Sequence, residues 1–383
     1  MKNLLNVVVL IGSAAFFSTS IADTAINDNF TFYGDARFGY YSLDRDENDG
    51  SEDKTDELRL RIRPGVKIKF NDILSGRIRL AGRYSTDKRN NEYFKVFQSI
   101  PAGDGLRRGD STIDEFNLAY QATPKLGLRI GRMQSKIELA GVAKKSLDRN
   151  NSPNTDISWT DGVYLKYALS SDWKAHFLVQ YNDASGATEV RRSPLNFSED
   201  DSRVSYFAAL VSNKKSGAFV QRTVDVTYIP SALRTDGSAT GRIDDYIAFV
   251  GRAAASWPMG ENGMKFLLGG ELGYAPNTQT EVASSIGGSA DVGGVATQVT
   301  FNFIDFMPTH SFGLVLARAD AGWLLSPDFR NNNTLLEGRY KWQLDKKNKF
   351  EARLRQREDI KQLTTKTEKR SDLDLYIRYT YKF

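Results

Sequence analysis

Residues 57–70 read ELRLRIRPGVKIKF. Leu58, Leu60, Ile62, Val66, Ile68 and Phe70 fall on every second position, with Arg59, Arg61, Arg63, Lys67 and Lys69 between them. At 100° per residue these apolar positions scatter around a helix axis. At 180° per residue they share one face of a strand, and the cations share the other. The stretch is therefore an amphipathic β-strand. Its basic face requires water; its apolar face requires either a protein core or lipid.

The same alternation recurs along most of the chain. Phe30, Phe32, Gly34, Ala36, Phe38 and Tyr40 share a face opposite Asp35 and Arg37; Ile78, Leu80 and Tyr84 oppose Arg77, Arg79 and Arg83. Leu336, Tyr340 and Trp342 oppose Glu337, Arg339 and Lys341. The polar connectors between such segments alternate in length. Seven short turns, such as 71–73 and 345–349, interleave with eight long connectors, such as 86–111 and 137–157. This predicts sixteen strands with both chain ends on the short-turn side, although the strands flanking Ser205, Thr223 and Ala317 alternate weakly. Short turns on one rim and long loops on the other mark an all-β, transmembrane, antiparallel up-and-down barrel. A β-sandwich lacks that asymmetry, and a propeller would show a repeat of about 40–50 residues.

The N-terminus begins MKNLLNVVVLIGSAAFFSTSIADTA. Lys2, an apolar run over Leu4–Phe17 and small residues at Ser20 and Ala22 predict a cleaved export signal over 1–22. Residues 23–383 form a single barrel domain. The chain contains no cysteine, which excludes disulfides, thiolate chemistry and a lipidated N-terminus. Its 52 Lys and Arg against 47 Asp and Glu give a net charge of +5. On an exported chain that balance points to anionic solutes or an anionic lipid surface, not to nucleic acid.

Enzyme chemistry and cofactors find no support. The two histidines, His176 and His310, have no matching nucleophile or carboxylate at a usable spacing. The acidic stretch Asp44–Asp53 places Asp49 and Thr55 where a calcium-binding EF-hand loop needs Gly and Glu, so no metal site is assigned. The Gly-rich segment Ser284–Gly294 precedes a strand, not a helix, and cannot cradle a phosphate.

Register follows from cost. Each Lys or Arg facing the lipid midplane costs about 2–4 kcal/mol in a barrel, so a one-residue slip of 57–70 is prohibitive. Arg59, Arg61, Arg63, Lys67, Arg77, Arg79, Arg83, Arg339, Lys341, Arg353 and Arg355 are thus expected to line a water-filled pore. Pro64 withholds a ladder donor, which predicts a local bulge.

The chain ends SDLDLYIRYTYKF, with Leu373, Leu375, Ile377, Tyr379, Tyr381 and Phe383 on one face. This resembles the last strand of bacterial outer-membrane porins. The resemblance implies an outer-membrane protein of a Gram-negative bacterium, inserted by the barrel-assembly machinery through Tyr379, Tyr381 and Phe383. It implies passive diffusion of small hydrophilic solutes and contact with lipid and lipopolysaccharide; the basic inner wall adds an expected anion preference. Porins of this type constrict their bore with the third long loop, here 137–157, whose charges include Glu138, Asp148, Arg149 and Asp156. The second long connector, with Tyr93, Phe94, Phe97, Arg107 and Arg108, competes for that role.

A further resemblance joins LRIGRMQ (128–134) and WTDGVYL (159–165) to the GRQ…DGV pattern of alginate-export-like, substrate-specific porins. It implies a channel for acidic sugars or organic anions. General porins are commonly trimers and alginate-type exporters single barrels, so a homotrimer and a monomer are both implied. The strand register points Arg132 outward. Either a bulge at Gly131 returns it to the lumen, or it snorkels at the outer rim. A structural or surface-interaction barrel is the third alternative.

Overall fold

The computed structural model describes residues 24–87, 107–150, 153–154, 157–182, 193–238, 240–260 and 263–383. The export signal read over 1–22 lies outside them. Sixteen long strands follow one another in chain order. The first four are β1 (Phe30–Asp46), β2 (Glu52–Lys69), β3 (Leu74–Ser85) and β4 (Arg107–Thr123). Then come β5 (Leu126–Met133), β6 (Thr160–Ala168), β7 (Lys174–Tyr181) and β8 (Val204–Ser212). The second half comprises β9 (Phe219–Arg234), β10 (Ile243–Pro258), β11 (Lys265–Tyr274) and β12 (Val295–Met307). It ends with β13 (His310–Ala319), β14 (Asn333–Gln343), β15 (Asn348–Asp359) and β16 (Ser371–Lys382).

Each strand pairs antiparallel with its neighbours in sequence, and β16 closes the ring on β1 from Ser371↔Asp46 to Lys382↔Asp35. A closed ring leaves no edge with unpaired backbone groups, which is what a strand protein needs to sit in hydrocarbon. The outer face carries exposed apolar residues at every second position: Leu80, Phe116, Leu118, Ile130, Val224, Phe249, Leu272 and Leu354 are each at least half exposed.

The structure departs from the sequence reading at Pro64. No bulge forms there. Pro64 faces Gly34 on β1, and toward β3 the register Ile62↔Gly82 resumes as Gly65↔Arg79 without a shift. The missing N–H interrupts the ladder locally but moves no side chain to the other face.

A second departure is larger. A sixteen-stranded ring with a polar, inward-folded loop was expected to leave an aqueous channel with a charged inner face. Instead, one side of the bore is packed. Ala248, Val250, Ala296, Val315 and Ala319 face inward from β10, β12 and β13. They meet Leu147 of the 134–159 connector and Trp323, Leu324, Leu325 and Phe329 of the 320–332 connector, all buried. Small residues on the inner face make room for these two loops, and apolar burial holds the loops inside.

Candidate functional site

The third long connector turns inward at Met133, crosses the bore and docks on the far wall. Its backbone makes the contacts that hold it. The Val142 N–H donates to Asn302 Oδ1 at 2.8 Å, and the Leu147 N–H donates to Glu271 Oε1 at 3.1 Å. Gln221 brackets it by accepting from the Ala140 N–H and donating to the Glu138 carbonyl, both at 2.7 Å. Trp323 Nε1 donates to the Leu147 carbonyl at 3.1 Å.

Charge anchors the same docking. Arg252 Nη2 sits 2.8 Å from Asp148, 2.8 Å from Asp225 and 2.9 Å from Glu271, with no solvent at any of the four side chains. Lys145 reaches Glu337 at 3.0 Å, and Arg339 donates to the Ala143 carbonyl at 3.0 Å. Asp148 and Arg149, expected to face the constriction, are therefore turned into the wall; Arg149 donates to Asn182 and Ser205. Arg339, expected on an open pore wall, lies beneath the loop. Among the described residues, the loop charges left toward the bore are Lys136, Glu138 and Lys144. Burial pushes the Glu138 carboxyl up to about 7, against the pull of Lys136 and Lys144 and helped by Asp328 and Asp148. Asp156 and the 88–106 part of the second connector lie outside the described residues, as do the side chains of Arg107 and Arg108.

Opposite the loop stands the basic wall of β1–β4. Arg59, Arg61, Arg63, Lys67, Arg77, Arg79 and Arg83 share one face of it, opposite the exposed Ile62, Ile78 and Leu80. These guanidinium groups are ordered by carboxylates. Asp35 takes Arg61 at 2.6 Å and Arg63 at 2.5 Å. Asp114 takes Arg79 through two parallel bonds of 2.8 Å and also meets Arg63 at 3.3 Å. Glu57 pairs with Arg59, and Tyr33 donates to Glu115. Fork-shaped pairing of this kind fixes direction as well as charge. Lys136 of the loop lies within electrostatic reach of Arg61, Arg63 and Arg79, so the loop and the wall approach each other there.

A cavity opens on either side of this approach. The outer one, about 570 Å³, is lined by Arg37, Arg59, Arg353, Arg355, Arg357 and Arg378, with Arg45 and Arg330. Five carboxylates, Asp53, Glu57, Asp87, Asp328 and Asp374, share that lining. Arg353 and Arg378 each lie 4.3 Å from the Tyr376 ring centre, and Arg59 lies 4.3 Å from that of Tyr41. The inner cavity, about 550 Å³, is lined by Lys136, Lys144, Lys166, Lys174 and Lys214, with Glu138 and Asp172. Lys341, also predicted for the lumen, faces inward from β14 opposite Glu351.

No protein-family model and no curated protein matches the sequence. Solved structures do match. OprB of Pseudomonas putida superposes with a TM-score of 0.57 at 11% identity, covering 93% of this chain and 94% of its own. The outer membrane channel DcaP of Acinetobacter baumannii gives 0.54 at 12% identity, covering 92% and 97%. OprD of Pseudomonas aeruginosa gives 0.51 at 9% identity, covering 96% and 100%. The chain has the outer-membrane porin fold. At such identities the likeness extends to architecture and not to solute.

Within this porin fold, the three C-terminal aromatic positions gather at the seam. Phe383 stacks on Phe32 at 5.3 Å and meets Tyr381 at 6.0 Å, while Tyr379 donates to Asn348. Arg132 stays on the outer face, opposite Phe116, and pairs with Asp161. Gly131 adopts φ +111° but does not return it to the lumen. The sequence reading did not single out Asp114 and Glu115. Two adjacent acids break the alternation, and that break was the available signal.

Proposed function

We propose that this protein is an outer-membrane channel that passes small hydrophilic anions by diffusion. The observation that carries this reading is the cation surplus in both cavities: among the described residues, eight cations stand against five carboxylates in the outer one, and five against two in the inner one. A wall of fixed positive charge concentrates anions and repels cations along a narrow aqueous path. Arg59, Arg61, Arg63, Lys67, Arg77, Arg79, Arg83, Arg353 and Arg355 are the proposed basic lining. Lys136 and Glu138 face them from the loop.

The packed half of the bore favours the narrower of the two channel readings. A loop tied down by a buried ionic cage and an apolar core leaves a path along one wall only. That geometry suits a channel for organic anions or acidic sugars better than a general sieve. Guanidinium forks held in fixed directions match planar carboxylates.

Planar-bilayer recording in a KCl gradient tests the proposal. The expected reversal potential has the sign of chloride preference, and a small sugar acid such as glucuronate should block the current saturably. A cation-selective current, or no current from folded barrels, overturns it.

A further inference from the structure

Arg132 and Asp161 take no part in the path proposed above, because both face away from the lumen. A charged pair on the outside of a membrane barrel still needs a reason, and the reason lies one strand away. Along β4, Glu115 faces Arg79 but Ile113 faces Leu80, so Asp114 is an inserted residue. This β-bulge turns two consecutive side chains, Asp114 and Glu115, into the lumen, while Ile113 and Phe116 on either side face out. An unbulged strand cannot do that.

A bulge disturbs the hydrogen-bond ladder around it. Here both carbonyls at the disturbance are taken by side chains of the 131–134 segment. Arg132 Nη1 donates to the Ile113 carbonyl at 2.9 Å, and Gln134 Nε2 donates to the Asp114 carbonyl at 3.4 Å. Arg132 is itself immobilised. Its Nε and Nη2 fork onto Asp161 at 2.8 and 3.0 Å, its guanidinium lies 4.2 Å from the Trp159 ring centre, and Trp159 Nε1 donates to the same carboxylate at 3.0 Å.

We propose that Arg132 is a positioning residue that works through the barrel wall. From the lipid side it splints the bulge in β4, and the bulge holds Asp114 and Glu115 against Arg63 and Arg79. Asp114 then sets how much of the positive charge on those two arginines is left for a solute. If the bulge relaxes into a regular ladder, the segment before it slips by one residue. Asp114 then swings toward lipid and Ile113 swings into the lumen.

This inference rests on the reading of the lumen as an anion path for its electrical test, and a second test stands free of it. In a KCl gradient, R132Q and D114N should each shift the reversal potential toward stronger anion preference. The double variant should shift no further than D114N alone, since both changes act on one carboxylate. An unmoved potential in R132Q, or additive shifts, overturns the proposal. R132K keeps the charge without the fork and should fall between wild type and R132Q. The second test uses the absence of cysteine from the chain. In an I113C variant the thiol faces lipid and should resist a charged, membrane-impermeant thiol reagent. Adding R132Q should raise its labelling rate about ten-fold as position 113 enters the lumen. An unchanged rate in barrels that remain heat-modifiable on gels overturns the splint. Folded barrels that conduct nothing overturn the channel reading, and labelling then decides the splint alone.

Discussion

Arg252 Nη2 and Asp148 Oδ2 lie 2.8 Å apart, and solvent reaches neither side chain. One belongs to strand β10 and the other to the inward loop, so this contact spans the interface that keeps the bore half filled. Asp225 and Glu271 press on the same guanidinium. Removing the cation leaves three buried carboxylates with no counter-charge. Breaking one buried ionic partnership costs about 3–5 kcal/mol. R252M is therefore expected to release the loop while leaving the sixteen-strand ring closed. Single-channel conductance should rise and solute block should be lost, with heat-modifiable migration preserved. Conductance equal to wild type would show that the cage does not hold the loop.

The ring was legible in the sequence because lipid and lumen impose a period of two on every strand, and stretches such as 57–70 obey it strictly. The packed half was not, because Ala248, Val250, Ala296 and Val315 are apolar on the face where water was expected. Weak alternation around Ala317, which packs against that cluster, was the visible trace of the inner apolar face. Apolar residues inside connectors, Leu139, Val142 and Leu147 in one and Trp323, Leu324 and Leu325 in the other, were the matching trace of loops that fold inward. The third connector was singled out as a candidate constriction in competition with the second; of its charges Glu138 faces the bore, whereas Asp148 and Arg149 are turned into the wall. Asp148 and Arg149 look like solvent-facing loop residues until the wall they dock on is known. The bulge at Asp114 depends on Arg132 and Gln134, which arrive about twenty residues later, and no local pattern shows such a pairing.

Glu138 should make selectivity depend on pH. Its carboxyl is pushed up to about 7 by burial, so it carries a negative charge above that pH and none below. Acidification from pH 8 to pH 5.5 removes one negative charge from the narrow part of the path and leaves Lys136 and Lys144 unopposed there. Anion preference, read as reversal potential, should strengthen as pH falls. E138Q should show the acid-pH value at both pH values; a pH shift that survives in E138Q would assign the effect to another group.

Asp35 restrains two guanidinium groups at once, Arg61 and Arg63. D35N removes one negative charge from the basic wall and loosens both guanidinium groups, although Arg63 keeps its contact with Asp114. The expected result is stronger anion preference together with weaker discrimination among anions, because the charge gains reach as it loses direction. Block by glucuronate should weaken relative to block by a small inorganic anion. A variant with unchanged selectivity would show that Arg61 and Arg63 do not meet the solute.

The seam between β16 and β1 offers a test of assembly separate from transport. Phe383 exchanges backbone bonds with Gly34, whose N–H donates to the Phe383 carbonyl at 2.7 Å and whose carbonyl accepts from the Phe383 N–H at 3.1 Å. Its ring covers Gly34 while stacking on Phe32. A methyl group added at Gly34 would fall 2.1 Å from the Arg63 carbonyl oxygen, so no side chain fits there without parting β1 from β2. G34V is expected to block closure, giving little heat-modifiable barrel after refolding into detergent or vesicles. F383A keeps the backbone pairing and loses only the ring, so it should fold more slowly and, once folded, conduct like wild type. G34V folding at the wild-type rate would mean that the seam tolerates displacement. A changed conductance in folded F383A would mean that the terminal ring also shapes the bore.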